Sequence, residues 1–384
     1  MAPRRYASVS AGALDASRMT VERTTKPSAP PPVEALKGQW GRLFSDHMLV
    51  VDHDAASGWG APRIVPHGPL ALSPAAMTLH YALQCFEGMK AYRGDDGRVR
   101  MFRPDLNAAR MNSSLARLRM PAFGGDAFVD CLRALLREDD AFVPSGDGCA
   151  AYLRPTAIAT TPFLGVGEPS HSTLFAIVSP VGPYYPDGFD PIAVYADSSN
   201  VRAWPGGAGN TKIGGNYAPT IKPARDAHDA TAGAAQQVLY LFGDDHRVTE
   251  VGAMNVFVLW ETKDGRRELV TAPLDFGDIL PGVTRRSVLE LARSGADVGV
   301  DVVSERPFTM PDVRAAADDG RLLEVFGAGT AAVICPIHKI FYDGAEIDVP
   351  TGNRIGPVSD AFFRKLSDIH YGRVQSDWAV PVDA

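Results

Sequence analysis

Apolar positions between residues 43 and 181 switch repeatedly between helical and strand-like spacing. Residues 43–51 read as a strand that runs into a turn at 54–60. Ser73 and Pro74 supply an N-cap and a pre-set first-turn proline, which predicts a helix to about Gln84. Phe86-Glu87-Gly88 breaks it. Two short apolar runs, 89–92 and 99–102, flank Gly94-Asp95-Asp96-Gly97 and predict a hairpin. Pro104 opens a second helix carrying Leu106, Arg110, Leu115 and Leu118. Asp126 is expected to cap a third, in which Phe128, Leu132, Leu135 and Leu136 share one face. Residues 150–158 and 173–181 return to strand. Helices between hairpin-linked strands predict an α+β first domain.

A segment with glycine, three prolines and two tyrosines at 182–191 reads as a linker. Beyond it the pattern becomes richer in strands. Runs at 238–242 and 248–260 flank a hairpin turn at 243–247, and 268–271 is a further strand. Pro281 and Gly282 begin a helix with Val288, Leu291 and Ala292 on one face. Val298, Val300 and Val302 alternate strictly, as in a half-buried strand. Apolar runs 322–326 and 332–337 are separated by Gly327-Ala328-Gly329-Thr330. The expected division is therefore 1–33 as a tail, 34–181 as a smaller α/β domain, 182–195 as a linker and 196–384 as a larger β-rich domain.

Residues 1–33 are rich in Ala, Ser, Thr, Pro and Arg and have no apolar periodicity. They read as a disordered tail, with a mitochondrial transit peptide or a true start at Met19 as alternatives. The 384 residues carry a net charge of -7, which argues against a nucleic-acid surface. No apolar run has the length of a membrane span. The cysteines Cys85, Cys131, Cys149 and Cys335 form no metal-binding spacing, and the histidines are scattered, so no metal site is expected. A reducing compartment, the cytoplasm, fits this cysteine usage.

Candidate chemistry concentrates in residues 210–219, Asn-Thr-Lys-Ile-Gly-Gly-Asn-Tyr-Ala-Pro. Lys212 stands between glycines at 206, 207 and 209 and the pair Gly214-Gly215, with Tyr217 five residues on. Glycines let the backbone approach a planar ligand closely. An amine that loses its charge by burial becomes a nucleophile, able to form a Schiff base with pyridoxal phosphate. A surface lysine in a loop is the alternative. Glu250, among valines on a predicted strand, is costly to bury unless a cation meets it, such as a pyridinium nitrogen; otherwise it faces solvent at a strand end. The start of the 281–293 helix, with Val283 and Thr284, offers free amides to an anion. The loop ending in Thr330 offers amides and a hydroxyl, and Arg110 offers a bidentate grip on phosphate. A nucleotide loop built on 206–212 fails on spacing.

Together these residues carry a resemblance. Phe-Glu-Gly-Met-Lys-Ala-Tyr at 86–92, with 102–110, 212–217, 249–257, 280–283 and 324–331, resembles the branched-chain amino-acid aminotransferases, pyridoxal-phosphate enzymes of fold type IV. The likeness spans about Trp40 to Trp378 and implies a two-domain α+β fold with a larger pseudo-barrel C-terminal domain. It implies that Lys212 is the Schiff-base lysine and proton shuttle. It further implies that Tyr217 bonds the cofactor's phenolic oxygen, that Glu250 pairs with its ring nitrogen, and that Arg110, Val283, Thr284 and Thr330 hold its phosphate. Backbone amides at Thr330 and Ala331 would meet the substrate carboxylate. Phe44, Tyr81, Phe86, Tyr152 and Tyr184 would line the side-chain pocket, with Arg154 at its rim to accept the second carboxylate of glutamate or 2-oxoglutarate. Leu164 and Val166 would cross to a partner subunit, so a homodimer is expected. The substrates so implied are leucine, isoleucine or valine and 2-oxoglutarate. A redox CxxC found in some animal members is expected to be absent, since 332–335 reads Ala-Val-Ile-Cys.

Overall fold

The structure is a computed structural model that describes residues 12–184, 189–295 and 298–383. The chain divides into two compact units, residues 1–183 with 370–384, and residues 184–369.

The first unit is built on a mainly antiparallel sheet. At its centre His47–Asp54, His171–Val181 and Ala150–Ala159 lie side by side. The predicted hairpin, Met89–Arg93 with Val99–Phe102, continues the sheet. Helix Pro104–Arg117 buries Met111 and Leu115, and Gly125–Glu138 buries Phe128, Leu132, Leu135 and Leu136, the whole face read from spacing. Each such side chain contributes about 1.5–3 kcal/mol by leaving water. Two helix starts differ from expectation. The Ser73 helix spans only Met77–Tyr81, because Ala82 turns left-handed at φ 51° and Gln84–Phe86 pairs with Ala150–Ala159. Asp126 lies inside the first turn, where its charge suits the helix dipole, while Gly124 is the cap.

Two expected boundaries are corrected. Residues 12–33 are not a free tail: Thr20–Val21 adds a parallel strand beside Arg63–Pro66, and Leu14 is buried. The Thr24 N–H donates to His47 Nε2 at 3.0 Å, and Arg23 pairs with Glu138. The sheet edge supplies backbone partners that a periodicity search cannot see. Residues 370–384, expected in the larger domain, belong to the first unit. Ala379–Pro381 pairs with Val99–Phe102, His370 stacks on Tyr92 at 4.4 Å, and the Arg103 guanidinium lies 4.2 Å from the Trp378 ring centre.

In the second unit six strands close a ring. Arg247–Val251, Ala235–Phe242, Ile192–Asp197, Val333–Tyr342, Leu322–Gly329 and Met254–Glu261 pair in that order, and the last pairs again with the first. Closure removes the open edges that an isolated sheet exposes. Its interior holds Val194, Leu241, Val256, Val258, Val325, Ile337 and Ile340. Ile192–Asp197 therefore takes residues 192–195 out of the expected linker, of which 185–188 lie outside the described residues. The expected strand 248–260 is two strands, turned at Gly252 where φ is 57°. The alternating valines at 298–302 make no strand before Val302–Glu305; Gly299 is left-handed there and the Asp301 carboxylate accepts from the Arg267 N–H. The glycine run at 327–329 is strand, not loop. Helices Ile221–Ala230, Met310–Asp318 and Pro357–His370 were not anticipated. Among the described residues no helix is long and apolar enough to cross a membrane.

Candidate active site

In the second unit, the lysine loop is held by its own backbone and by Asn216. The Thr211 N–H and hydroxyl donate to the Ala208 carbonyl, and Asn216 Nδ2 donates to the carbonyls of Ala208 and Thr211. A single 3₁₀ turn at Gly214–Asn216 folds the chain back, so that Lys212 Nζ donates to Tyr217 Oη at 2.9 Å. Lys212 is half-buried, less enclosed than the sequence reading supposed.

Glu250 is only 1% exposed. The two-residue turn at Gly252 sets it opposite Asn255, whose Nδ2 donates to Oε1 at 3.0 Å, and the Leu280 N–H donates to the same oxygen at 3.2 Å. Oε2 forms an ion pair with Arg202 Nη1. Neither of these two atoms has a hydrogen bond of normal geometry. Burial raises the Glu250 carboxyl above its ordinary range, opposed by Arg202, the Leu280 N–H and Lys212 and reinforced by Asp278. Lys212 and Glu250 thus feel each other's charge, and the Arg202 guanidinium lies 5.9 Å from the Tyr217 ring centre. Amine, phenol, guanidinium and carboxylate form one cluster.

Beside it, helix Val283–Arg293 starts at Gly282 with no side-chain cap, leaving the amides of Val283 and Thr284 directed outward. A Cβ on Gly282 would meet Asn255 Oδ1 at 2.1 Å, so the helix start is tied to the residue that holds Glu250. Thr330 and Ala331 follow strand Leu322–Gly329 in the turn to Val333–Tyr342. Tyr184 is half-exposed.

In the first unit Arg110 is 8% exposed and Glu87 is fully buried. Arg110 Nε and Nη2 donate to the two Glu87 oxygens at 2.7 and 2.8 Å, and Asn107 Nδ2 donates to Oε2 at 2.7 Å. Phe86, Tyr152 and Arg154 are also brought together. Arg154 Nη2 donates to Tyr152 Oη at 2.8 Å, and its guanidinium lies 4.8 Å from the Phe86 ring centre. A Cβ on Gly88 would strike Tyr152 Oη at 2.1 Å. Lys90, buried 5.1 Å from the Trp40 ring centre, is pushed down to about 7 by desolvation. Tyr81 packs against His80 and Phe44 stacks on His67. Leu164 and Val166 are exposed in the 160–170 loop.

Sequence reasoning missed Arg202 and the role of Glu87. Arg202 preceded the glycine frame and had no periodic context, while Glu87 was read as a helix breaker and as one letter of the 86–92 motif, with no role of its own.

The sequence profile of the amino-transferase class IV family matches residues 84–340, more than half of the chain. The protein is 50% identical over 368 residues to a branched-chain-amino-acid aminotransferase of Monosiga brevicollis, covering 95% of this chain and 92% of that one. This chain belongs to the class IV aminotransferases, in their branched-chain-amino-acid group. A mitochondrial branched-chain-amino-acid aminotransferase of Bos taurus is 46% identical, covering 99% of this chain and 94% of its own. The fold matches the crystal structure of a Thermobaculum terrenum branched-chain aminotransferase in its PLP form, with TM-score 0.70 and 23% identity over 89% of this chain and 99% of that one. Class IV aminotransferases use pyridoxal phosphate. The second unit suits it: an amine against a phenol for the aldehyde end, a buried and incompletely bonded carboxylate for the ring nitrogen, and an uncapped helix start for the phosphate.

Proposed function

We propose that this aminotransferase moves the amino group of L-leucine, L-isoleucine or L-valine to 2-oxoglutarate, with Lys212 Nζ as the atom that holds the cofactor covalently. The observation that carries this reading is the Lys212–Tyr217 contact within the charge field of a buried glutamate. When bound, pyridoxal phosphate supplies a sink for the electrons of the substrate's Cα–H bond. Lys212 Nζ would be the group that takes up the substrate's Cα proton and holds it for return. Tyr217 Oη orients Nζ. Glu250 would meet the ring nitrogen and hold its proton in place, with Arg202 and the Leu280 N–H favouring the ionised carboxylate against its burial. The amides of Val283 and Thr284 and the hydroxyl of Thr330 would receive the cofactor's phosphate, and a phosphate-binding role is proposed for Arg110 as well. Amides at Thr330 and Ala331 take the substrate carboxylate.

Phe86, Tyr152, Tyr81, Phe44 and Tyr184 are proposed to meet the branched side chain, since aromatic surface rewards aliphatic burial at about 25 cal/mol per Å². Arg154 serves the second carboxylate of 2-oxoglutarate. The exposed apolar side chains Leu164 and Val166 support a homodimer in which this loop covers the partner's pocket. The cytoplasm, with the mitochondrion as the alternative, is the compartment we propose, in keeping with Cys85, Cys131, Cys149 and Cys335 being free and buried.

The test is an absorbance spectrum of the purified holoenzyme before and after L-leucine. The cofactor's visible band should bleach and return with 2-oxoglutarate. Retained turnover in Lys212→Ala would overturn the assignment.

A further inference from the structure

A second buried ion pair lies behind the cofactor cluster. Asp278 is 1% and Arg247 7% exposed, and Arg247 Nη2 donates to Asp278 Oδ2 at 2.6 Å. The guanidinium lies 4.3 Å from the Phe276 ring centre and 5.2 Å from that of Phe242. Arg247 Nη1 and Asp278 Oδ1 have no hydrogen-bond partner among the described residues, so each charge depends on the other. Such a pair adds little net stability over apolar packing, and removing one member leaves an uncompensated buried charge. Its position suggests another use. Arg247 is three residues before Glu250 on the same strand. Asp278 is two residues before Leu280, whose N–H binds Glu250 Oε1, and four before Gly282, where the phosphate-facing helix starts. A Cβ on Gly209 would lie 2.6 Å from the Asp278 carbonyl oxygen, so the same residue also packs against the loop that carries Lys212.

We propose that Arg247 and Asp278 are positioning residues for the cofactor carboxylate, clamping residues 277–282 between the Glu250 strand and the Lys212 loop without touching cofactor or substrate. The inference rests on the ring-nitrogen role proposed for Glu250. Clamping acts in two ways. It fixes the Leu280 N–H on Glu250, and it places the negative charge of Asp278, balanced by Arg247, within reach of Glu250. The other charged or titratable groups around Glu250 are Arg202 from the loop after Ile192–Asp197, Lys212 and Tyr217 from the lysine loop, and Arg285 from helix Val283–Arg293.

The experiment measures cofactor retention, not turnover. Holoenzymes of wild type, Arg247→Gln, Asp278→Asn and the double variant are dialysed at a series of pH values, and bound pyridoxal phosphate is read by absorbance. Each single variant should lose retention about tenfold at neutral pH. The pH at which retention fails on the acid side should move down in Asp278→Asn, because a negative charge near Glu250 is gone. It should move up in Arg247→Gln, because Asp278 is then unbalanced. The double variant should return to within about threefold of wild type. Shifts of the same sign in both single variants, or no shift in either, would overturn the proposal, since general loosening of the fold cannot give opposite signs. Arg247→Lys keeps the charge and stands in if Arg247→Gln yields no holoenzyme: an unmoved acid limit supports the proposal, a moved one opposes it. Glu250→Gln separates the two readings. If it retains cofactor like wild type, the role of Glu250 fails; if it loses cofactor while the pair variants do not, only the clamp fails.

Discussion

Glu87→Gln tests how a buried carboxylate holds Arg110. The substitution keeps shape and volume but replaces one acceptor oxygen by an NH₂ donor. Glu87 accepts three short bonds, two from Arg110 and one from Asn107, with no exposed surface. In either orientation the new amide points its donor at another donor. One or two charge-assisted bonds are lost, about 1.5–3 kcal/mol each, and Arg110 loses its counter-charge. Breaking a buried pair from one side costs about 3–5 kcal/mol in total. For a cooperative unit of roughly 200 residues, 1 kcal/mol moves the melting temperature by about 2–4 °C, so the variant should melt about 6–20 °C lower. Differential scanning calorimetry of apo- and holoenzyme provides the measurement. A second readout is the retained pyridoxal phosphate, which should fall if Arg110 holds its phosphate. A melting temperature within 2 °C of wild type would refute the energetic reasoning.

Other outcomes follow from the same geometry. Tyr217→Phe removes the 2.9 Å bond to Lys212 and should cost about 0.5–1.5 kcal/mol, a two- to twelvefold fall in kcat/KM measured by coupled assay. Arg154→Leu should lower kcat/KM for glutamate by roughly 10- to 150-fold through the loss of a charged bond of about 1.5–3 kcal/mol, while leucine stays within threefold. Because burial raises Glu250, the folded apoenzyme binds this proton more tightly than the unfolded chain. That contribution to apoenzyme stability is complete below about 4.3 and is lost as pH rises through the raised value, at about 1.4 kcal/mol per unit. Calorimetry should therefore show the holo-minus-apo melting gap widening as pH rises above that point, and Glu250→Gln should abolish the widening.

Where local patterning and tertiary packing agree, the chain was legible. The face Phe128, Leu132, Leu135 and Leu136 is buried as its spacing indicates, and the 94–97 turn makes its hairpin. Lys212, Tyr217 and Glu250 stood out as candidates because unusual residue types stood in glycine-rich or apolar surroundings, and the structure gathers them in one cluster. The alternation at 298, 300 and 302 misled for a local reason: Gly299 and the Asp301 bond to Arg267 direct the backbone otherwise. The 12–33 segment misled because its order comes from a sheet edge and from His47, distant in sequence.

By itself the sequence determined many of the regular stretches of the first unit, which lysine and which acid deserve attention, and to which enzymes the chain is similar, since these follow from residue type and spacing along a local backbone. Tertiary structure alone decided the partners of the buried charges. Glu87 with Arg110, Arg202 with Glu250 and Arg247 with Asp278 are joined across 23 to 48 positions of chain, and the ring is completed by strands distant in sequence, Ile192–Asp197 on Val333–Tyr342 and Met254–Glu261 on Leu322–Gly329. A charge can leave water only where an opposite charge is already held in place, and that place is set by strand register and ring closure, which no short window of residues encodes.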